Sequence, residues 1–200
     1  MLNGQFSTIK LPKIVLASGS PRRAEILNSV GWEFTKIVPD IDESVLDGES
    51  PEDYVQRLAR EKALATAPGH GLECVLAADT TVVIDHHILG KPEDEEDARR
   101  MLRILSGRWH DVLTGVAVVY RREIEVGMQR TGVKFAEMND AEIEYLVKYG
   151  NPFDKAGGYA VQAQAALFIE GINGDYWNVV GLPINLVYGL MKKADADASA

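Results

Sequence analysis

Ile14-Val15-Leu16-Ala17-Ser18-Gly19-Ser20-Pro21-Arg22-Arg23 decides the fold. The apolar run Ile14 to Ala17 has the length of a short buried strand and passes directly into a Ser-Gly-Ser turn. Ser20 suits an N-cap and Pro21 the first helical position, where its missing N–H is no loss; Ile26, Leu27 and Val30 then recur at helical spacing until Gly31. The unit is strand, tight turn, helix. Such a turn aims the free N–H groups and positive dipole end of the helix at one point, where an anion binds readily. Ser18 and Ser20 add hydroxyls there, and Arg22 and Arg23 add forked donors matched to phosphate oxygens. A plainer role, a cap followed by two solvated arginines, fits the same residues, because the stretch is not the more specific GxxxxGK[ST] loop.

Outward from this unit, Ser50-Pro51-Glu52-Asp53 announces a second helix with Val55, Leu58, Ala59 and Ala63 on its apolar face. Cys74 to Ala78 and Thr81 to Ile84 read as extended pieces with Asp79-Thr80 between them, and Pro92 is expected to open a third helix. Val112 to Tyr120 and Ile124 to Phe135 suggest an antiparallel hairpin, followed by a short helix from Asn139 or Asp140 to Tyr149. Residues 150–160 read as a long glycine-rich loop, Ala166 to Ile169 as a strand, 175–181 as a connection and Pro183 to Met191 as a terminal helix. Strands and helices mix without strict alternation, so the expected class is α/β with a mixed sheet flanked by helices. Residues 1–12 are expected to be an extension, 13–191 one domain and 192–200 a polar tail.

Composition narrows the function. The chain has 200 residues, 46% hydrophobic and 26% charged, which is ordinary for a globular protein. Its 30 acidic and 21 basic residues give a net charge of −9, unsuited to holding a long nucleic acid by summed charge. One cysteine, Cys74, permits no internal disulfide and no Cys-rich zinc site. With no leader-like start and no long apolar run, a cytoplasmic chain without a membrane partner is expected.

Several residues stand out as chemistry. Asp79 ends the apolar run VLAAD, a place where α/β folds often put a site carboxylate able to ligate a hard cation or take a proton from water. Lys62 interrupts the apolar stripe of its helix, so its ammonium either reaches out to solvent or lies in a cleft with a partner. Glu43 could be a second metal ligand, although a solvated acidic turn is the plainer reading of its loop. Lys91 precedes a helix, where the dipole does not favour a cation, so a ligand explains it better. Lys155-Ala156-Gly157-Gly158-Tyr159 and Gln162 lie on the glycine-rich loop; the glycines allow a ligand close approach, and an amide can donate and accept at a base edge.

LASGSPRRAEIL, YVQRLAREKA, AADTTVV, GKP, MLRILSG, DKAGGYAVQ and GDYWNVVGLP occur in the order and approximate spacing of the Maf family of nucleoside triphosphate pyrophosphatases, over roughly residues 13–191. The resemblance implies an elongated mixed sheet in two lobes with a central cleft, as in inosine triphosphate pyrophosphatases. It also implies hydrolysis of a nucleoside triphosphate between the α and β phosphates with Mg2+ or Mn2+. Asp79 then corresponds to the proton acceptor; Ser18, Ser20, Arg22, Arg23, Lys62 and Lys91 to the triphosphate cradle; and Glu43 with Asp79 to the metal ligands. Arg22, Thr80 and Gln162 resemble the branch acting on dTTP and UTP, whereas the 7-methyl-GTP branch tends to carry Trp, Gln and Glu at those places. Ala160 and Ala163 stand where the family commonly has glycine. A homodimer is also implied, and a regulatory role in septum inhibition is the alternative the family suggests.

Overall fold

The computed structural model describes residues 12–70, 73–121 and 123–197. The expected extension at 1–12 therefore falls, except for Pro12, outside the described residues. In chain order the elements are β1 Ile14–Ala17, α1 Pro21–Ser29, β2 Phe34–Ile37, α2 Pro51–Thr66, β3 Cys74–Ile84 and β4 His87–Leu89. Then come α3 Glu95–Leu105, β5 Trp109–Tyr120, β6 Glu123–Phe135, α4 Asp140–Tyr149, β7 Ile169–Asn173, α5 Tyr176–Val180 and α6 Ile184–Asp197. The strands form one mixed sheet in the order β2-β1-β3-β5-β6-β7, with β4 also on β3. β1 runs parallel to β2 and β3, and the remaining pairs are antiparallel.

The long strands β3, β5 and β6 carry separate cores at their two ends, which makes the two lobes. Near one end, Leu16, Leu76, Val116 and Val118 pack on Ile26 and Leu27 of α1 and on Val187 and Leu190 of α6. Toward the other, Val82, Val112 and Phe135 pack on Leu102 and Leu105 of α3 and on Ile143 and Leu146 of α4. The reverse face of the first lobe receives α2, with Ala59 and Ala63 against Val15, Ala77 and Ala117. Alternation along β3 sends Ala77 toward α2 and Leu76 and Ala78 toward α1 and α6, as a sheet covered on both faces requires.

Five local expectations are corrected, one of them at 175–181, where the expected connection holds the helix α5 from Tyr176 to Val180, capped by the Asp175 side chain. Asp79 and Thr80 do not separate two strands; they lie inside an unbroken β3, because β5 pairs with it continuously from Val75 to Val83. α3 begins at Glu95 rather than Pro92, since the Asp94 side chain accepts from the Asp97 N–H and sets the cap there. Residues 164–167 form a 3-10 turn, and the strand follows at Ile169–Asn173. The last helix does not stop at Met191 but continues to Asp197.

A buried aromatic group stiffens the second lobe: His110 stacks on Phe135 with ring centroids 5.5 Å apart, and its Nε2 shares a 2.7 Å hydrogen bond with the Tyr159 hydroxyl. Burial pushes the imidazole from 6.5 down to about 4, so it is neutral in the folded protein at pH 7. Between those values the unfolded chain binds a proton that the folded chain does not. Stability should therefore fall by about 3 kcal/mol as pH drops through that window. His110→Gln is expected to flatten this loss relative to wild type, read as unfolding midpoint against pH from 7 to 4; parallel profiles would contradict it.

Candidate active site

β1 ends at Ala17 while β3 continues. On that edge β3 pairs with β1 from Cys74 to Ala77 and with β4 from Val82 to Ile84, so Ala78 to Thr81 have no strand beside them. This gap lies at the carboxyl end of β1, where open α/β sheets take ligands. It floors a cleft of about 560 Å³, within the size range of small-molecule sites.

Asp79 lies in this gap, only 8% exposed. Lys62, 7% exposed, donates from Nζ to Asp79 Oδ1 at 2.6 Å and lies 2.7 Å from Glu43 Oε1. One buried ammonium thus serves two carboxylates, so losing Lys62 would leave the buried Asp79 carboxylate uncompensated, whereas losing either carboxylate leaves Lys62 the other. Lys62 has not reached out to solvent; its helix comes so close to the sheet that the cleft is what its ammonium meets. The approach depends on Gly115, the β5 partner of Asp79, where a Cβ would come within 2.1 Å of the Val55 carbonyl oxygen. Burial alone would raise the Glu43 pKa, but the hydrogen bond and charge of Lys62, then Lys91 and Arg23, hold it below the usual carboxylate value. Tyr54 also lines the cleft, and its hydroxyl is pushed up to about 12, first by burial and then by Asp79 and Glu43.

The turn after β1 works differently from a simple cap. Ser20 makes no side-chain cap bond. Ser18 Oγ instead accepts from the Ser20 N–H at 3.1 Å and from Arg23 Nη1 at 2.9 Å, which leaves its O–H as a donor. Arg23 is buried and also donates from Nε to the Gly181 carbonyl and from Nη2 to Thr80 Oγ1, so it braces the cleft wall with all three nitrogens taken. Arg22 crosses the cleft and donates to Asp154 Oδ2 at 2.7 Å and to the Asp154 carbonyl at 2.8 Å. Lys91 is exposed on the rim.

The glycine-rich loop forms the opposite wall as two 3-10 turns, Pro152–Asp154 and Ala156–Gly158. Gly157, with φ +67°, lies where a Cβ would touch the Val82 side chain at 3.0 Å, so only glycine lets the loop seat on β3. Gln162 is exposed and lines the cleft. Ala160 and Ala163 are not among the residues with positive φ, so alanine is accommodated at both without strain. Lys155, Asp154 and Tyr54 were not singled out as site residues from sequence. Lys155 is 8% exposed, and its ammonium meets Asp154 Oδ1 at 2.5 Å. Its signal is a lysine opening a glycine-rich loop; Asp154 and Tyr54 are the first residues of DKAGGYAVQ and YVQRLAREKA, but nothing within those motifs sets them apart as site residues.

All ten residues singled out from sequence, Ser18, Ser20, Arg22, Arg23, Glu43, Lys62, Asp79, Thr80, Lys91 and Gln162, line this one cleft. The arrangement gathers cations and hydroxyl donors around two carboxylates held by one lysine, a site suited to a polyanion that arrives with a cation.

The sheet and its two lobes define a mixed α/β fold similar to that of the Staphylococcus aureus Ham1 protein, whose structure superposes with a TM-score of 0.53 at 15% identity, covering 90% of this chain and 98% of that one. The family model "Maf-like protein" matches residues 13–194, and the chain belongs to that family. Among its relatives, a dTTP/UTP pyrophosphatase of Anaeromyxobacter dehalogenans is 50% identical over 92% of this chain and 94% of its own length. One of Clostridioides difficile is 46% identical over 90% and 94%, and one of Chromobacterium violaceum 50% identical over 86% and 90%.

Proposed function

We propose that this chain hydrolyses dTTP and UTP to the nucleoside monophosphate and pyrophosphate. The observation that carries the reading is the Asp79 carboxylate, held at 2.6 Å by Lys62 on the open edge of β3 inside a cation-lined cleft. Among the described residues no donor reaches Asp79 Oδ2, so that oxygen is the one left to take a proton from water as the water opens the α–β phosphoanhydride. Lys62 orients the carboxylate through Oδ1. The Ser18 hydroxyl, the N-terminus of α1, Arg22, Lys91 and Lys155 line the space where phosphate charge would lie, and positioning with charge neutralisation is most of what phosphoryl chemistry asks of a protein. Arg23 acts through Ser18 and Thr80 rather than on the ligand.

Glu43 and Asp79 are the residues that would hold Mg2+ or Mn2+. Both carboxylates reach the same Lys62 ammonium, so a hard cation beside it would find an oxygen on each and take its remaining ligands from phosphates and water. Among the described residues no three His, Cys, Asp or Glu side chains could hold an ion by themselves, which fits a metal arriving with the nucleotide. Bound there, the ion supplies neutralisation of phosphate charge. The same reading takes a free nucleoside triphosphate as ligand, a homodimer as the assembly and the cytoplasm as the compartment. Among the described residues no helix is long and apolar enough to cross a membrane.

Arg22, Thr80 and Gln162 support the pyrimidine branch over the 7-methyl-GTP one, and the names of the relatives agree. The test is pyrophosphate release across the common nucleoside triphosphates and 7-methyl-GTP, with and without chelator. Release from dTTP and UTP that stops with chelator is expected; release from none of them would return the chain to the regulatory reading. Gln162→Glu should lower kcat/KM for dTTP and UTP by about 5- to 100-fold, because a carboxylate cannot donate to a pyrimidine carbonyl and leaves it unpaired. An unchanged substrate profile would remove Gln162 from base reading.

A further inference from the structure

We infer that Arg57 is the positioning residue that delivers Glu43 to the active site. This rests on the reading of Glu43 as part of that site. Glu43 lies on the stretch between β2 and α2, residues 38–50, which has no helix or strand and whose side chains are mostly exposed. No core holds this segment, so its position depends on individual hydrogen bonds. Three of them come from one side chain, more than any other residue supplies. Arg57, on the second turn of α2, donates from Nε to Glu49 Oε1 at 2.6 Å and from Nη2 to Glu49 Oε2 at 2.8 Å, a bidentate fork. Nη2 also donates to the carbonyl of Ser44 at 3.0 Å, the residue after Glu43. Glu49 Oε2 accepts from the Leu46 N–H at 3.1 Å, which closes the segment on itself.

Two further contacts extend the clamp to Glu43. The Tyr54 hydroxyl donates to the Glu43 carbonyl at 3.0 Å, and the Arg57 guanidinium lies 5.7 Å from the Tyr54 ring centroid. Arg57 thus grips the chain on the carboxyl side of Glu43 while Tyr54 grips Glu43 itself. Both belong to the helix that carries Lys62, five residues beyond Arg57. One rigid element therefore sets the Glu43 carboxylate and the ammonium it meets at 2.7 Å in the same frame. A lysine could not replace the guanidinium, because a single ammonium cannot span a carboxylate in two parallel bonds and reach the Ser44 carbonyl at once.

The experiment is a double-mutant cycle of Arg57→Gln and Glu43→Gln, with Arg60→Gln on the exposed face of α2 as the control. Readouts are kcat/KM for dTTP, the Mg2+ concentration at half-maximal rate, amide hydrogen exchange of residues 39–50 and the thermal midpoint. Supporting residues around such sites typically carry about 10- to 100-fold. Arg57→Gln is expected to lower kcat/KM by about that factor, raise the Mg2+ midpoint and speed exchange across 39–50, with the thermal midpoint nearly kept. Arg57→Lys should resemble Arg57→Gln, and Arg60→Gln should resemble wild type. In the double variant the Arg57 effect should largely vanish, since no Glu43 carboxylate remains to be placed. Fully multiplicative losses, or a lowered thermal midpoint with unchanged kinetics, would reduce Arg57 to a structural role and overturn the inference. A Glu43→Gln protein with wild-type kinetics would instead overturn the assignment of Glu43, and the inference with it.

Discussion

An Asp79→Asn protein is expected to release pyrophosphate from dTTP about 10²- to 10⁴-fold more slowly than wild type, the range a positioned general base contributes. The substitution is nearly isosteric. It keeps an oxygen that can accept from Lys62 Nζ, which Asp79 Oδ1 now meets at 2.6 Å, but it cannot take a proton from water. The folded state should survive, because Lys62 retains the Glu43 carboxylate 2.7 Å away and is not left buried without a counter-charge. The loss should therefore fall on kcat with KM little changed, and the thermal midpoint should move little. Single-turnover pyrophosphate release beside a thermal melt separates the two quantities. Retained kcat in the folded variant would exclude Asp79 as the base.

Among the described glycines, Gly115→Ala should be the most damaging substitution. A Cβ at this position would stand 2.1 Å from the Val55 carbonyl oxygen, 2.4 Å from its carbon and 2.8 Å from the Gln56 nitrogen. These are backbone atoms of a 16-residue helix, so no rotamer change relieves the clash. α2 must move off the sheet, opening the face where Ala59 and Ala63 meet Val15, Ala77 and Ala117. Overpacking of this kind costs about 3 kcal/mol. At roughly 2–4 °C per kcal/mol for a chain this long, the melting temperature should fall by about 6–12 °C. Activity should fall as well, because Lys62 lies about two turns along the same helix and would be drawn away from Asp79. Gly189→Ala provides the contrast. Nothing lies within 4 Å of its Cβ on α6, so it should be neutral or stabilising by up to about 1 kcal/mol. Equal melting temperatures for the two variants would refute the close approach of α2 to β5.

The elements most legible in the sequence were those with local causes. The turn and helix after Ala17 were readable because Pro21 and the spacing of Ile26 and Leu27 act within a few residues. The start of α2 was readable because Ser50 caps the Asp53 N–H three residues on. Where local signals competed, reading failed: Pro92 looked like a helix start, but Asp94 provides a side-chain cap and prevails. Asp79 and Thr80 looked like a break because polar residues interrupt an apolar run, and only the facing strand shows that β3 continues through them.

By itself, the sequence determined the fold class, the order of most elements and the residues that meet in the cleft, through caps, periodicity and a series of motifs in the right order. Tertiary structure alone decided what each of those residues touches. Arg22 and Arg23 are adjacent in the chain and looked interchangeable, yet one reaches Asp154, 132 residues away, and the other Gly181, 158 residues away. Lys62 could equally have pointed to solvent; it meets Asp79 because Gly115 lets its helix sink onto the sheet. Capping and turn preferences act over a few neighbouring residues, whereas the partner of a buried charge is set by whichever distant groups packing brings within about 3 Å of it.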